Sequence, residues 1–272
     1  MRIGARDDVL AKPWTELFEE AARLGFDGVE LDLKVETYRD SEVWSERGRR
    51  DLVERSRRTG VAPLAGVAPL AGVEIASVCM ASVAGLMTKP ETHEQGIEAL
   101  ADLRRYCDEL GAGVAPLAGV ILFPMIKQAE QSEEEAFGLW RDGFQAAFEK
   151  SDGARAKVGM ESVGRVGRSA DQALAMIEAV GSPAFGVYYD VGNAAYQSFD
   201  GIAEMKQLGG HIVQIHVKEI GAEMGEGVLD FAAIFSTIRD IGYDGYLILE
   251  TEAGDDPAAN ALRNLEFVRG LL

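Results

Sequence analysis

"GGHIVQIHVKEIG", residues 209–221, is the stretch on which the reading of this chain turns. Ile212, Val213, Ile215 and Val217 make it an apolar, β-branched run of strand length, the pattern of a strand buried on both faces. Yet it carries His216, one of three histidines in the chain, and runs directly into Lys218 and Glu219. An imidazole at the end of a buried strand needs a partner or a task.

Seven other runs share this character: "RIGAR" (2–6), "GVELDL" (28–33), "EIASVCM" (74–80), "VILFPM" (120–125), "KVGMES" (157–162), "FGVYYDV" (185–191) and "YLILETE" (246–252). With "IVQIHVK" (212–218) they make eight candidate strands. Amphipathic stretches separate them. "PWTELFEEAARLG" predicts a helix opening at Pro13, "EQGIEALADLRRYCDELG" one stopping at Gly111, and "LDFAAIFSTIRDIG" one ending at Gly242. Eight strand–helix units in 272 residues predict an α/β chain folded as one (β/α)8 TIM barrel over residues 1–272. A doubly wound open sheet would want a Gly-rich phosphate loop after an early strand, which "RIGARDD" does not supply.

The hexamer Ala-Pro-Leu-Ala-Gly-Val interrupts the alternation, in tandem at 62–73 and once at 115–120. Each block follows a predicted helix and precedes a predicted strand. In a barrel that position is an αβ loop on the face opposite the chemistry, so these blocks are expected to be insertions without a catalytic role. Stacked solenoid repeats would need longer units, roughly 20 residues or more.

Composition narrows the partners. At 47% hydrophobic the chain can bury a full core, and a net charge of -18 disfavours a nucleic-acid backbone or an anionic membrane. Two cysteines, Cys79 and Cys107, make no disulfide framework, and "MRIGARDDVL" lacks the apolar core of a signal peptide. No run approaches the roughly 20 apolar residues of a membrane helix. The expectation is a cytoplasmic protein.

In a barrel, polar residues at the C-terminal strand ends point into the active-site mouth. Four consecutive strands end on a hard-metal donor: Glu161, Asp190, His216 and Glu250. Each has an ordinary explanation when taken singly. A lone histidine is usually just hydrogen-bonded, Asp190 before "VGN" suits a turn, and the glutamates could cap or pair. Their coincidence at four neighbouring strand ends points instead to one divalent metal. Three carboxylates and an imidazole favour Mn, Mg or Co, with Zn open and Mn the first choice. The second ring nitrogen of His216 would then be held by a buried partner. Glu30, Trp14 and the aromatics Phe123, Tyr188, Tyr189 and Tyr196 are near the mouth by location only.

At these residues the chain resembles the xylose isomerase-like TIM-barrel superfamily, and within it the L-ribulose-5-phosphate 3-epimerase and hexulose-6-phosphate isomerase group. The resemblance is carried by "RLGFDGVEL", "YYDVGN", "GHIVQIHVKE" and "GEGVLDFAAIFSTIRDIGYDGYLILETE", in family order. It implies that Glu161, Asp190, His216 and Glu250 ligate the metal. It further implies that Glu161 and Glu250 are the catalytic pair, exchanging a proton on opposite faces of a carbon next to a carbonyl through a metal-stabilised enediolate. The implied partner is a small sugar or sugar phosphate, and family members often form homo-oligomers.

Lys218, on the same side of its strand as His216, would bond a substrate oxygen or Glu250, or else pair with Glu219 at the surface. Asn193 stands where many 3-epimerases carry a second histidine, and Glu226 in "GEG" would line the mouth. Both are substrate-binding candidates. Between "HVK" and "GEG" only "EIGAEM" remains of a longer family segment, which puts a phosphorylated substrate in doubt. The alternatives are a dehydratase of a polyol ketone, of inosose or dehydroshikimate type, and a catalytically silent sugar-binding barrel. DNA repair, also found in the superfamily, would want more histidines and a less acidic surface.

Overall fold

The computed structural model describes residues 1–33, 38–59, 72–111, 120–161 and 167–272. Eight parallel strands close into a barrel in sequence order: β1 (Arg2–Arg6), β2 (Gly28–Asp32), β3 (Glu74–Cys79), β4 (Val120–Pro124), β5 (Lys157–Glu161), β6 (Phe185–Asp190), β7 (Ile212–Val217) and β8 (Tyr246–Leu249). The seam between β1 and β8 pairs Ile3 with Leu247 and Ala5 with Leu249, which leaves no free sheet edge. The architecture is the (β/α)8 barrel expected from the sequence.

The alternation of side chains explains why strands with near-continuous apolar runs tolerate a few buried polar residues. Outward positions such as Val29, Leu31, Val187, Tyr189, Ile215 and Val217 pack under the helices in the main core. Inward positions form a smaller cluster with Leu122, Tyr188, Tyr246 and Ile248. Glu30, Ser77, Gln214 and His216 are buried polar neighbours of those inward positions, none more than 2% exposed. Successive side chains face opposite ways, so His216 faces inward while both its neighbours face the helices.

Helix termini follow the expected chemistry. Pro13 caps the helix Trp14–Leu24. Gly111 follows His93–Leu110, and the Asp230 side chain accepts from Ala233 N at the start of Phe231–Asp240. Strand ends are shorter than the sequence pattern suggests. "YLILETE" ends at Leu249, so Glu250 stands one residue beyond β8, with its N–H still donating to Val217 O at 3.2 Å.

The hexamer blocks at 62–73 and 115–120 lie outside the described residues, except for their last positions. The last residue of the first block lies against the helix end before it: Val73 N donates to Thr59 Oγ1 at 2.8 Å, and Ser56 Oγ donates to Val73 O at 2.6 Å. Both cysteines are buried free thiols. Among the described residues no helix is long and apolar enough to cross a membrane.

Candidate active site

The four strand-end residues meet. Glu161, Asp190, His216 and Glu250 each offer a ligand atom, and these atoms all lie within 4.8 Å of one another at the C-terminal mouth of the barrel. Parallel strands in register bring this about, since β6 and β7 pair Asp190 directly with His216.

His216 is fully buried and divides its two nitrogens between two environments. Nε2 lies 2.9 Å from Glu30 Oε1, deep in the barrel. Nδ1 faces the cluster, 3.3 Å from Glu161 Oε1, 3.2 Å from Glu250 Oε2 and 3.9 Å from Asp190 Oδ2. Burial works against a charged ring. The surrounding carboxylates, Glu30 and Glu250 foremost, outweigh it and raise the imidazole well above its usual range. With Nε2–H directed at Glu30, the Nδ1 electron pair is the one that would reach a cation.

Glu30 is the buried partner expected for the histidine. Its other oxygen accepts from Ser77 Oγ and from Tyr188 OH, each at 2.6 Å, and Gln214 Nε2 donates to both of those hydroxyls at 2.6 and 2.9 Å. Burial opposes its charge, but His216 and the two hydroxyl donors hold its carboxyl below the usual range. The sequence signal for this layer was present. Glu30 sits alone between Val29 and Leu31, and Gln214 lies two residues before His216 on the same face.

Asp190 turns its two oxygens to different surroundings. Oδ1 accepts from Gly192 N and Asn193 N at 2.8 and 2.9 Å, the turn chemistry of a helix start. Oδ2 is buried and accepts no hydrogen bond. The Lys218 ammonium lies 2.6 Å from Oδ2 as an ion pair, outside hydrogen-bond angles, and donates to Glu250 Oε2 at 2.9 Å. Burial pushes Asp190 up to about 7, against the pull of Lys218. Lys218 therefore does not pair with Glu219 at the surface, because its stem turns inward past Gly192. A Cβ on Gly192 would come within 2.7 Å of Lys218 Cγ, so a larger residue would displace the lysine.

Glu250 is held from two sides. Lys218 and His216 face Oε2, and Arg6, from the end of β1, donates to Oε1. Arg6 also bonds Asp8 Oδ1 at 3.1 Å and Asp32 Oδ2 at 3.2 Å. Burial would raise the Glu250 carboxyl, but the three cationic groups hold it well below the usual carboxylate range. Arg6 was not among the residues expected from the sequence, although a charged residue closing "RIGAR" is the same kind of signal as those closing β5 to β8.

The remaining candidates divide. Asn193 Nδ2 reaches Glu161 Oε1 at 3.4 Å. Glu226 sits on an exposed turn, its N–H bonded to Glu223 O, and is absent from the lining of the cavity beside Glu250. The turn, flanked by Gly225 and Gly227, leaves that side chain in solvent. Tyr188 and Phe123 are buried, Tyr189 packs outward, and Tyr196 is exposed. Trp14 Nε1 donates to Asp7 at 2.7 Å. His93 Nδ1 lies 2.7 Å from Met87 O, and His211 sits in the turn before β7, so both are remote from the cluster.

With this geometry established, known proteins can be set beside it. Residues 18–271 match the family model described as the xylose isomerase-like TIM barrel. The chain belongs to that family. L-ribulose-5-phosphate 3-epimerase UlaE of Escherichia coli is 28% identical over 269 residues, covering 94% of this chain and 89% of the relative. Among solved structures, D-allulose 3-epimerase from Methylomonas sp. in complex with D-allulose superposes with a TM-score of 0.80 at 15% identity, covering 100% of this chain and 97% of that one. The apo form of 3-keto-D-glucoside 4-epimerase YcjR from E. coli gives 0.78 at 17% identity and 99% coverage of both chains. Identities this low establish a shared barrel.

Proposed function

We propose that this family member is a divalent-metal-dependent sugar epimerase that inverts a carbon next to a carbonyl, of the ketose 3-epimerase type. One observation carries the reading. Four ligand atoms lie within 4.8 Å of one another at the barrel mouth, three of them carboxylate oxygens and the fourth the buried Nδ1 of His216. Three carboxylates this close together repel one another, and a divalent cation shared by them and the imidazole would offset that repulsion. The donor set fits a hard ion, with Mn the first choice and Mg, Co and Zn the other candidates. When bound, the ion would supply Lewis acidity to a substrate carbonyl.

The chain's own residues do the rest. Glu161 and Glu250 form the acid–base pair: one carboxylate takes the proton from the carbon, and the other returns a proton to the opposite face. Inversion requires two groups on two sides, and each must come within about 3 Å of the carbon. Lys218 and Arg6 orient the Glu250 carboxylate, and Asn193 steadies Glu161. Glu30 fixes the His216 ring so that Nδ1 faces the cluster.

The test is deuterium uptake from heavy water by a panel of ketoses with metal-loaded protein. Uptake at the carbon next to the carbonyl, with appearance of the epimer, is expected. Loss of water from inosose or dehydroshikimate without an epimer would replace this reading with a dehydratase, and binding without exchange would make the barrel a sugar binder.

A further inference from the structure

A cavity of about 550 Å³ opens beside the cluster, between the loops that follow β7 and β8, with Lys218 and Glu250 in its wall. In (β/α)8 enzymes these two loops and the helix after them frequently hold a substrate phosphate. Here their chemistry is reversed. Among the described residues, Glu219, Glu223, Glu250 and Glu252 line the cavity, against the one ammonium of Lys218. That ammonium is already held by Asp190 and Glu250 at 2.6 and 2.9 Å. The nearby guanidinium of Arg263 is paired with Glu223.

The helix that could receive an anion, Pro257–Arg269, is capped by the Asp256 carboxylate, which accepts from Ala259 N. Two lining residues carry acceptor oxygens that receive no hydrogen bond, Glu219 Oε2 and Asn264 Oδ1, and Asn264 is only 3% exposed. Thr251 and Asn260 add neutral polar groups. Such a wall calls for hydrogen-bond donors and repels a dianion.

We infer that this cavity takes the distal, hydroxyl-bearing end of an unphosphorylated sugar and rejects the corresponding sugar phosphate. The inference rests on the proposed function and specifies its substrate class. It separates this chain from the 28%-identical relative, whose name specifies a 5-phosphate. The acidic wall acts by repulsion, which sets specificity as effectively as an added contact.

The test is calorimetric binding to metal-loaded protein of two matched pairs, L-ribulose with L-ribulose 5-phosphate and D-fructose with D-fructose 6-phosphate. Deuterium uptake is followed in parallel by mass spectrometry. At least one free ketose is expected to bind about tenfold or more tighter than its phosphate. Glu252→Lys, an exposed position, is expected to narrow that ratio by tightening the phosphate ester. Equal or tighter binding of the phosphates, binding of neither class, or an unchanged ratio in the variant overturns the inference. Free ketoses that bind without exchanging deuterium would sink the epimerase reading and leave the cavity assignment standing.

Discussion

Two buried polar clusters share the inside of this barrel, one a layer beneath the other, and they are completed differently. In the lower, Ser77 and Tyr188 donate to Glu30 and Gln214 donates to both hydroxyls; none of these four residues has a buried side-chain atom lacking a hydrogen bond. In the upper, three carboxylates crowd one imidazole nitrogen, and two of them, Asp190 and Glu250, share the Lys218 ammonium. Both are buried and charged. The difference is that neutral donors complete the lower network and hold its shape, while the upper one gathers like charges that favour a cation among them. His216 joins the two, with one nitrogen in each.

The sharpest way to break this contrast is to remove charge from the upper cluster. Glu161→Gln or Glu250→Gln is expected to lower turnover by about 100- to 10,000-fold with the circular-dichroism spectrum unchanged. Activity retained in both variants would end the two-carboxylate assignment.

The next test falls on the joint between the layers. His216→Ala removes a proposed ligand, while Glu30→Gln keeps the imidazole but loosens its orientation. The latter is expected to cost about 10- to 100-fold in metal affinity, measured by chelator competition. An unchanged affinity would reduce Glu30 to core packing. Arg6→Gln, which leaves the carboxylates of Glu250, Asp8 and Asp32 without their shared cation, is expected to cost about 3 kcal/mol of stability, read from chemical denaturation.

The smallest effect lies at the opposite end of the barrel. Excising residues 62–73 retains Thr59-Gly60-Val61 before Glu74, so Gly60 and Val61 take the places of Gly72 and Val73. Because Val73 already bonds back to Thr59, the loop closes on itself there. Turnover is expected to stay the same and stability to shift by no more than about 2 kcal/mol. A loss of activity would mean that the inserted block reaches the site.

Much of this was readable along the chain. Strand periodicity is local, so all eight strands were placed within a few residues, and four polar residues closing consecutive apolar runs marked the cluster before any contact was known. The limits were also local. "YLILETE" carries no sign that β8 stops at Leu249, and the acidic turn around Glu226 gives no sign that its side chain faces solvent.

What the sequence determined by itself was the barrel and the polar residues that close four of its strands, because each follows from patterns a few residues long. What only the tertiary structure decided was which groups complete one another. Glu30 meets His216 across 186 residues, and Arg6 meets Glu250 across 244, the second because β1 closes against β8. The inward turn of Lys218 likewise depends on a bare Gly192 on the neighbouring strand's helix. Closure of the barrel turns separation along the chain into adjacency around a ring, and no local pattern encodes which partners that brings face to face.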